Sequence, residues 1–72
     1  MSEWWMEEMS NARLHLRDQG ILVQTAVVFG NPGDRVAGTY LGLMATEHGV
    51  VAVVRVKGDL LLPTHYSNLT KV

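Results

Sequence analysis

The residues best suited to acid–base or metal chemistry in this chain are its three histidines, His15, His48 and His65. A zinc centre needs three or four nitrogen, sulfur or carboxylate ligands converging in space. No histidine pair has i, i+4 or His-x-His spacing, and there is no cysteine to complete a set. The spacing therefore favours surface or partly buried histidines, and no metal is expected. Nucleophilic catalysis fares no better, because neither Ser10 nor Ser67 sits between glycines in a strand–turn–helix elbow. The glycines of "GNPGD" (Gly30 to Asp34) and "AGTYLG" (Ala37 to Gly42) lack the lysine and the following helix that a phosphate loop requires. No catalytic set emerges and no cofactor is implied, so the chain is expected not to be an enzyme.

Binding chemistry is better represented. Trp4, Trp5, Met6 and Met9 cluster near the N-terminus, and tryptophan and methionine are typical of interfaces. With Tyr40 and Tyr66, the residues Trp4, Trp5 and Met9 form the expected contact set for a protein or a small apolar ligand. A weaker alternative uses Arg35, Arg55, Lys57 and Lys71 beside the tyrosines as a nucleic-acid face, since small barrels stack bases on aromatics along a positive groove. The electrostatic footprint is thin. The net charge is −1, so no global field draws in phosphate. Residues 1–19 carry four acids against two arginines, and residues 20–72 four cations against three acids.

The elements that must position these residues are legible in the pattern. Trp5, Met9, Ala12 and Leu16 follow helical spacing. Ser2 is placed to cap the helix, Arg13 and Arg17 suit its negative end, and Gly20 terminates it. A helix over 2–18 is expected. A competing reading ends it near Asn11 and turns "RLHLR" into a strand. Beyond Gly20 the chain becomes β-like. Strands are expected over Ile21–Phe29, Arg35–Ala45 and Val50–Val56, then a short "LLL" strand stopped by Pro63, one helical turn in "THYSN" and a closing "LTKV" strand. Gly38 and Gly42 within the second strand predict a bend, a bulge or close backbone approach. The fold class is α+β: an N-terminal amphipathic helix followed by a small antiparallel sheet of four or five strands, a single domain over 1–72 with its β region at 21–72.

The segment from Asp34 to Val72, and "GDLLLPTHYSNLTKV" in particular, resembles an SH3-like small β-barrel: strand, proline, single turn, closing strand. "GDRV" (Gly33 to Val36) and "GDLLLP" (Gly58 to Pro63) are also similar to the framework of type II dihydrofolate reductases, small SH3-like tetramers. In that family the strand before the proline lines a catalytic pore with polar and aromatic residues. Leu60, Leu61 and Leu62 stand there in this chain, so the resemblance implies the shape and not the activity. An enzyme built at a symmetric oligomer pore is the least favoured of the functional readings.

Size and composition bound the rest. A chain of 72 residues, 47% hydrophobic and without cysteine, has neither disulfide nor zinc to support a small core. Val50 to Val56 is apolar on both faces until Arg55 interrupts. One helix must share the covering of two sheet faces with something else, and Leu22, Ala26, Val28, Leu41, Leu43, Leu60 and Leu62 add further apolar surface. A homo-oligomer is expected, with a dimer favoured by base rate. No secretory signal or membrane-spanning run is apparent, which makes a soluble cytoplasmic protein the default.

Overall fold

The computed structural model describes residues 3–72; the expected Ser2 cap lies outside them. Helix α1 spans Trp4–Asp18, so the arginine-bearing segment is helical and the strand reading of "RLHLR" is not adopted. The chain leaves α1 through a Schellman motif. Gly20 N–H donates to Arg17 O at 2.9 Å and Ile21 N–H to Leu16 O at 2.8 Å, with Gly20 at φ +76°. The hydrophobic contact that accompanies this motif is supplied by Leu16 and Ile21, both buried.

Five strands follow: β1 Ala26–Asn31, β2 Asp34–Thr46, β3 Gly49–Val56, β4 Leu60–Thr64 and β5 Thr70–Lys71. They form one antiparallel sheet in the order β4-β3-β2-β1-β5. The two edge strands do not pair with each other, so the sheet is not closed. Short 3₁₀ turns at Lys57–Asp59 and Tyr66–Asn68 connect β3 to β4 and β4 to β5.

Two expected boundaries move for physical reasons. The first strand begins at Ala26 rather than Ile21. Ile21 is pinned in the core by the helix exit, and Leu22 to Thr25 close a turn, with Thr25 N–H donating to Leu22 O at 2.9 Å and Gln24 at φ +76°. Pro63 does not stop β4, which runs on to Thr64. β4 is an edge strand, where the N–H that proline lacks need not serve a ladder.

The core lies on one face of the sheet. Register places Gly38, Tyr40, Leu43 and Ala45 of β2 opposite Val56, Val54, Ala52 and Val50 of β3 on this inner face. Helix α1 packs there through Ala12 and Leu16, and Leu16, Ile21, Val27, Tyr40, Ala52, Val54 and Leu69 form a continuous buried cluster. The helix and the core thus share the same side of Val50–Val56. The second face of that strand, Val51 and Val53, is half-buried, and Arg55 is exposed. The glycines of β2 do what their positions suggest. A Cβ at Gly38 would stand 2.5 Å from Val54 Cγ1 and 2.7 Å from Arg55 O, so the coiled sheet requires glycine there. Gly42, at φ +152°, follows a register shift that leaves Leu41 as an extra residue.

Candidate functional site

The bulge at Leu41 is the local feature that builds the site. On a regular strand Tyr40 and Leu43 would face opposite sides. The extra residue resets the alternation, so both face inward, opposite Val54 and Ala52 respectively. The helix exit supplies the facing wall. Ile21 is anchored beneath Leu16, and the Leu22–Thr25 turn is held over β2 by Gln24 N–H to Tyr40 O at 2.7 Å and Tyr40 N–H to Thr25 O at 3.0 Å. Leu22 N–H also donates to Thr25 Oγ1 at 3.0 Å.

Between these walls lies a cleft of about 360 Å³, lined by Arg13, Arg17, Ile21, Leu22, Val23, Tyr40, Gly42 and Leu43. This lies within the lower part of the size range for ligand pockets, roughly 300–1,000 Å³. Leu22 and Val23 are each 60% exposed at its lip. Its polar side chains are Tyr40 and two arginines, Arg13 and Arg17, one helical turn apart. Among the described residues neither guanidinium is within salt-bridge distance of a carboxylate. The Tyr40 ring is 5% exposed, yet its hydroxyl has no hydrogen-bond partner among those residues. No sealed side-chain oxygen or nitrogen there is left unsatisfied, so the hydroxyl retains some exposure. Burial pushes the Tyr40 phenol above its ordinary value, and the nearby Arg13 charge partly offsets this. At neutral pH it is therefore an uncharged O–H donor.

The sequence-derived contact residues are distributed more widely than this cleft. Tyr40 lines it. Trp4 and Trp5 lie on the first turn of α1, 48% and 40% exposed, beside Met6 at 48%. Met9 is half-buried. Tyr66 is half-buried against the core, edge-on to His15 at a centroid distance of 5.5 Å and stacked on His65 at 4.3 Å. His65 Nδ1 and Ser67 Oγ are 2.7 Å apart. His65 Nδ1 also accepts from Ser67 N–H at 3.2 Å, which makes the pair the cap of the Tyr66–Asn68 turn. His48 pairs with Glu47 at 3.2 Å, both fully in solvent.

The cations of the nucleic-acid alternative do not converge. Arg35 and Arg55 share the outer face, but Arg55 sits opposite Thr39, about 13 Å along β2 from Arg35 at ~3.3 Å per residue. Lys57 is in the turn after β3. Lys71 pairs with Val27 at the inner face, and its Nζ lies 3.2 Å from where a Gly20 Cβ would stand.

Sequence reasoning treated Arg13 and Arg17 as dipole partners and missed them as site residues. A signal was present. Positions three and four away from Arg13 are Met9, Ser10, Leu16 and Arg17, and those from Arg17 are Arg13, Leu14, Gly20 and Ile21. Neither arginine has a helical carboxylate neighbour, and each has the other.

Comparison with protein-family models, curated proteins and solved structures finds no match to this chain.

Proposed function

We propose that the chain is a non-catalytic binding module on an SH3-like framework, with the α1–β2 cleft as its recognition site. The strand order β4-β3-β2-β1-β5, with a single 3₁₀ turn before the short closing strand, supports the SH3-like reading. The observation that carries the binding role is the cleft itself. Aliphatic side chains line it together with Tyr40, whose hydroxyl has no partner among the described residues, and Arg13 and Arg17, neither of which meets a carboxylate among them, a composition that suits a ligand pocket. The module recognises a small molecule with a substantial apolar body.

The same reading includes self-association. Trp4, Trp5 and Met6 present large apolar side chains on one helical turn, and the outer sheet face adds the half-buried Val28, Val51 and Val53 with the exposed Leu61. The first patch lies on α1 and the second on the sheet face turned away from it, so a second copy docking on either one removes apolar surface from water and adds burial to a small domain.

The cleft is tested by titrating the isotope-labelled full chain with small apolar fragments such as indole and cyclohexanol, following backbone amide resonances. Saturable shifts confined to Leu22, Val23, Gly42 and Leu43 are expected. Shifts scattered over the surface, or none at all, contradict the assignment.

A further inference from the structure

The geometry points to a more specific ligand class for this cleft: a small amphiphilic carboxylate, its apolar body against Ile21, Leu22, Val23 and Leu43 and its carboxylate facing Arg13, Arg17 and the Tyr40 hydroxyl. This rests on the cleft being a binding site, and adds the sign and shape of what enters it.

Three observations carry it. First, every polar side chain lining the cleft is a donor. Guanidinium has no acceptor capacity. The phenol ordinarily titrates near pH ~10, and burial raises it further, so at neutral pH it is an O–H that can donate as well as accept. A ligand that satisfies both guanidiniums must bring acceptors, and the phenol can donate to the same group. Second, the two guanidiniums stand at i, i+4 with no carboxylate among the described residues to pair with either. Like charges at this spacing oppose each other in a helix, and a shared anion converts that repulsion into two charge-assisted hydrogen bonds. Third, the remaining lining side chains are aliphatic, and Leu22 and Val23 are 60% exposed at the lip. A compact inorganic anion leaves those walls wet. A volume of about 360 Å³ stands at the small end of ligand pockets, roughly 300–1,000 Å³, room for a small chain or ring and not for a folded partner.

The test is calorimetric titration of the full-length chain with octanoate, octan-1-ol, acetate and inorganic phosphate, paired with amide-shift mapping. Octanoate is expected to bind saturably at Leu22, Val23, Gly42 and Leu43. Octan-1-ol should bind about tenfold more weakly, the lower end of what hydrogen bonds to a charged group contribute. Acetate and phosphate should be weaker still. Arg13→Gln and Arg17→Gln, both on the exposed helix surface, should each bring octanoate toward the octan-1-ol value without altering the thermal transition. Arg13→Lys should restore only part of the affinity, because the bidentate fork is lost. Equal binding of octanoate and octan-1-ol in the cleft overturns the carboxylate assignment while leaving the site intact. Phosphate binding as tightly as octanoate overturns the apolar half. If neither octanoate nor octan-1-ol shifts the cleft amides while indole does, this inference falls alone; if no probe shifts them, the cleft reading falls with it.

Discussion

Glu8 of α1 accepts a hydrogen bond from the Val50 backbone N–H, its Oε1 lying 3.2 Å from the nitrogen. The contact ties the helix to the sheet where β3 outruns its edge partner, for the last paired residue of β4, Thr64, stands opposite Ala52. Beyond that point no β4 residue pairs with Val50, and the Glu8 carboxylate supplies the acceptor. The link adds a polar tie to the apolar packing of Ala12 and Leu16, on the same helix that carries Arg13 and Arg17. Replacing Glu8 with Ala should cost about 1.5 kcal/mol, the lower end for a hydrogen bond to a charged group, because the carboxylate is only half-buried. Urea unfolding reads the loss, and hydrogen exchange at Val50 should accelerate more than at Val54, which lies opposite Leu62 of β4.

Gly38 is the position least tolerant of a side chain. Its missing Cβ makes room for the Val54 methyl and the Arg55 carbonyl, so the coil of the sheet depends on it. Gly38→Ala should destabilise by about 1–3 kcal/mol, the overpacking range, measured by urea denaturation. A cost near zero would mean that β2 and β3 do not approach as closely as described.

The helix stands on Leu16 more than on its tryptophans. Leu16 is 1% exposed and joins the Schellman exit to the core. Leu16→Ala should cost about 2–5 kcal/mol as a large-to-small core change. It should also weaken ligand binding, because Ile21 loses its support. Trp5→Lys, in contrast, should leave monomer stability nearly unchanged and abolish the proposed self-association: the wild type should show a mass above that of one chain by light scattering in the micromolar range, and the variant the mass of one chain.

Tyr40 makes stability sensitive to alkali. Its folded-state pKa is raised, chiefly by burial, so the folded form holds the phenolic proton more tightly than the unfolded chain does. Stability from this group is fully present below the unfolded value near pH 10. It is lost as pH rises from there through the folded value. Alkaline unfolding of the wild type should be steeper above about pH 10 than that of Tyr40→Phe, as followed by circular dichroism.

Much of the architecture is readable from the residues. The Ala12–Leu16 spacing, Gly20 after it and the "NPG" and "KGD" turns mark the helix, its exit and two hairpins. What escapes is instructive. Ile21 to Thr25 carries β-branched residues, yet tertiary anchoring of Ile21 and a turn through Gln24 at positive φ override that local preference. The stripe Trp5–Met9–Ala12–Leu16 is helical throughout, but only its last two members are fully buried. The cleft depends on the bulge at Leu41, and no pattern in the sequence states which residue of "GTYLGL" is the extra one. Without that register Tyr40 and Leu43 cannot be placed together, and the arginines above them look like ordinary helix-end charges.

The central claim is that the α1–β2 cleft receives the carboxylate end of a small apolar acid. A crystal structure of the full chain with octanoate tests it most directly. Octanoate is expected between Leu43 and the Leu22–Val23 lip, its carboxylate within hydrogen-bonding distance of the Tyr40 hydroxyl and at least one of the Arg13 and Arg17 guanidiniums. An empty cleft at saturating octanoate, or a carboxylate turned outward with the hydroxyl unpartnered, would contradict it.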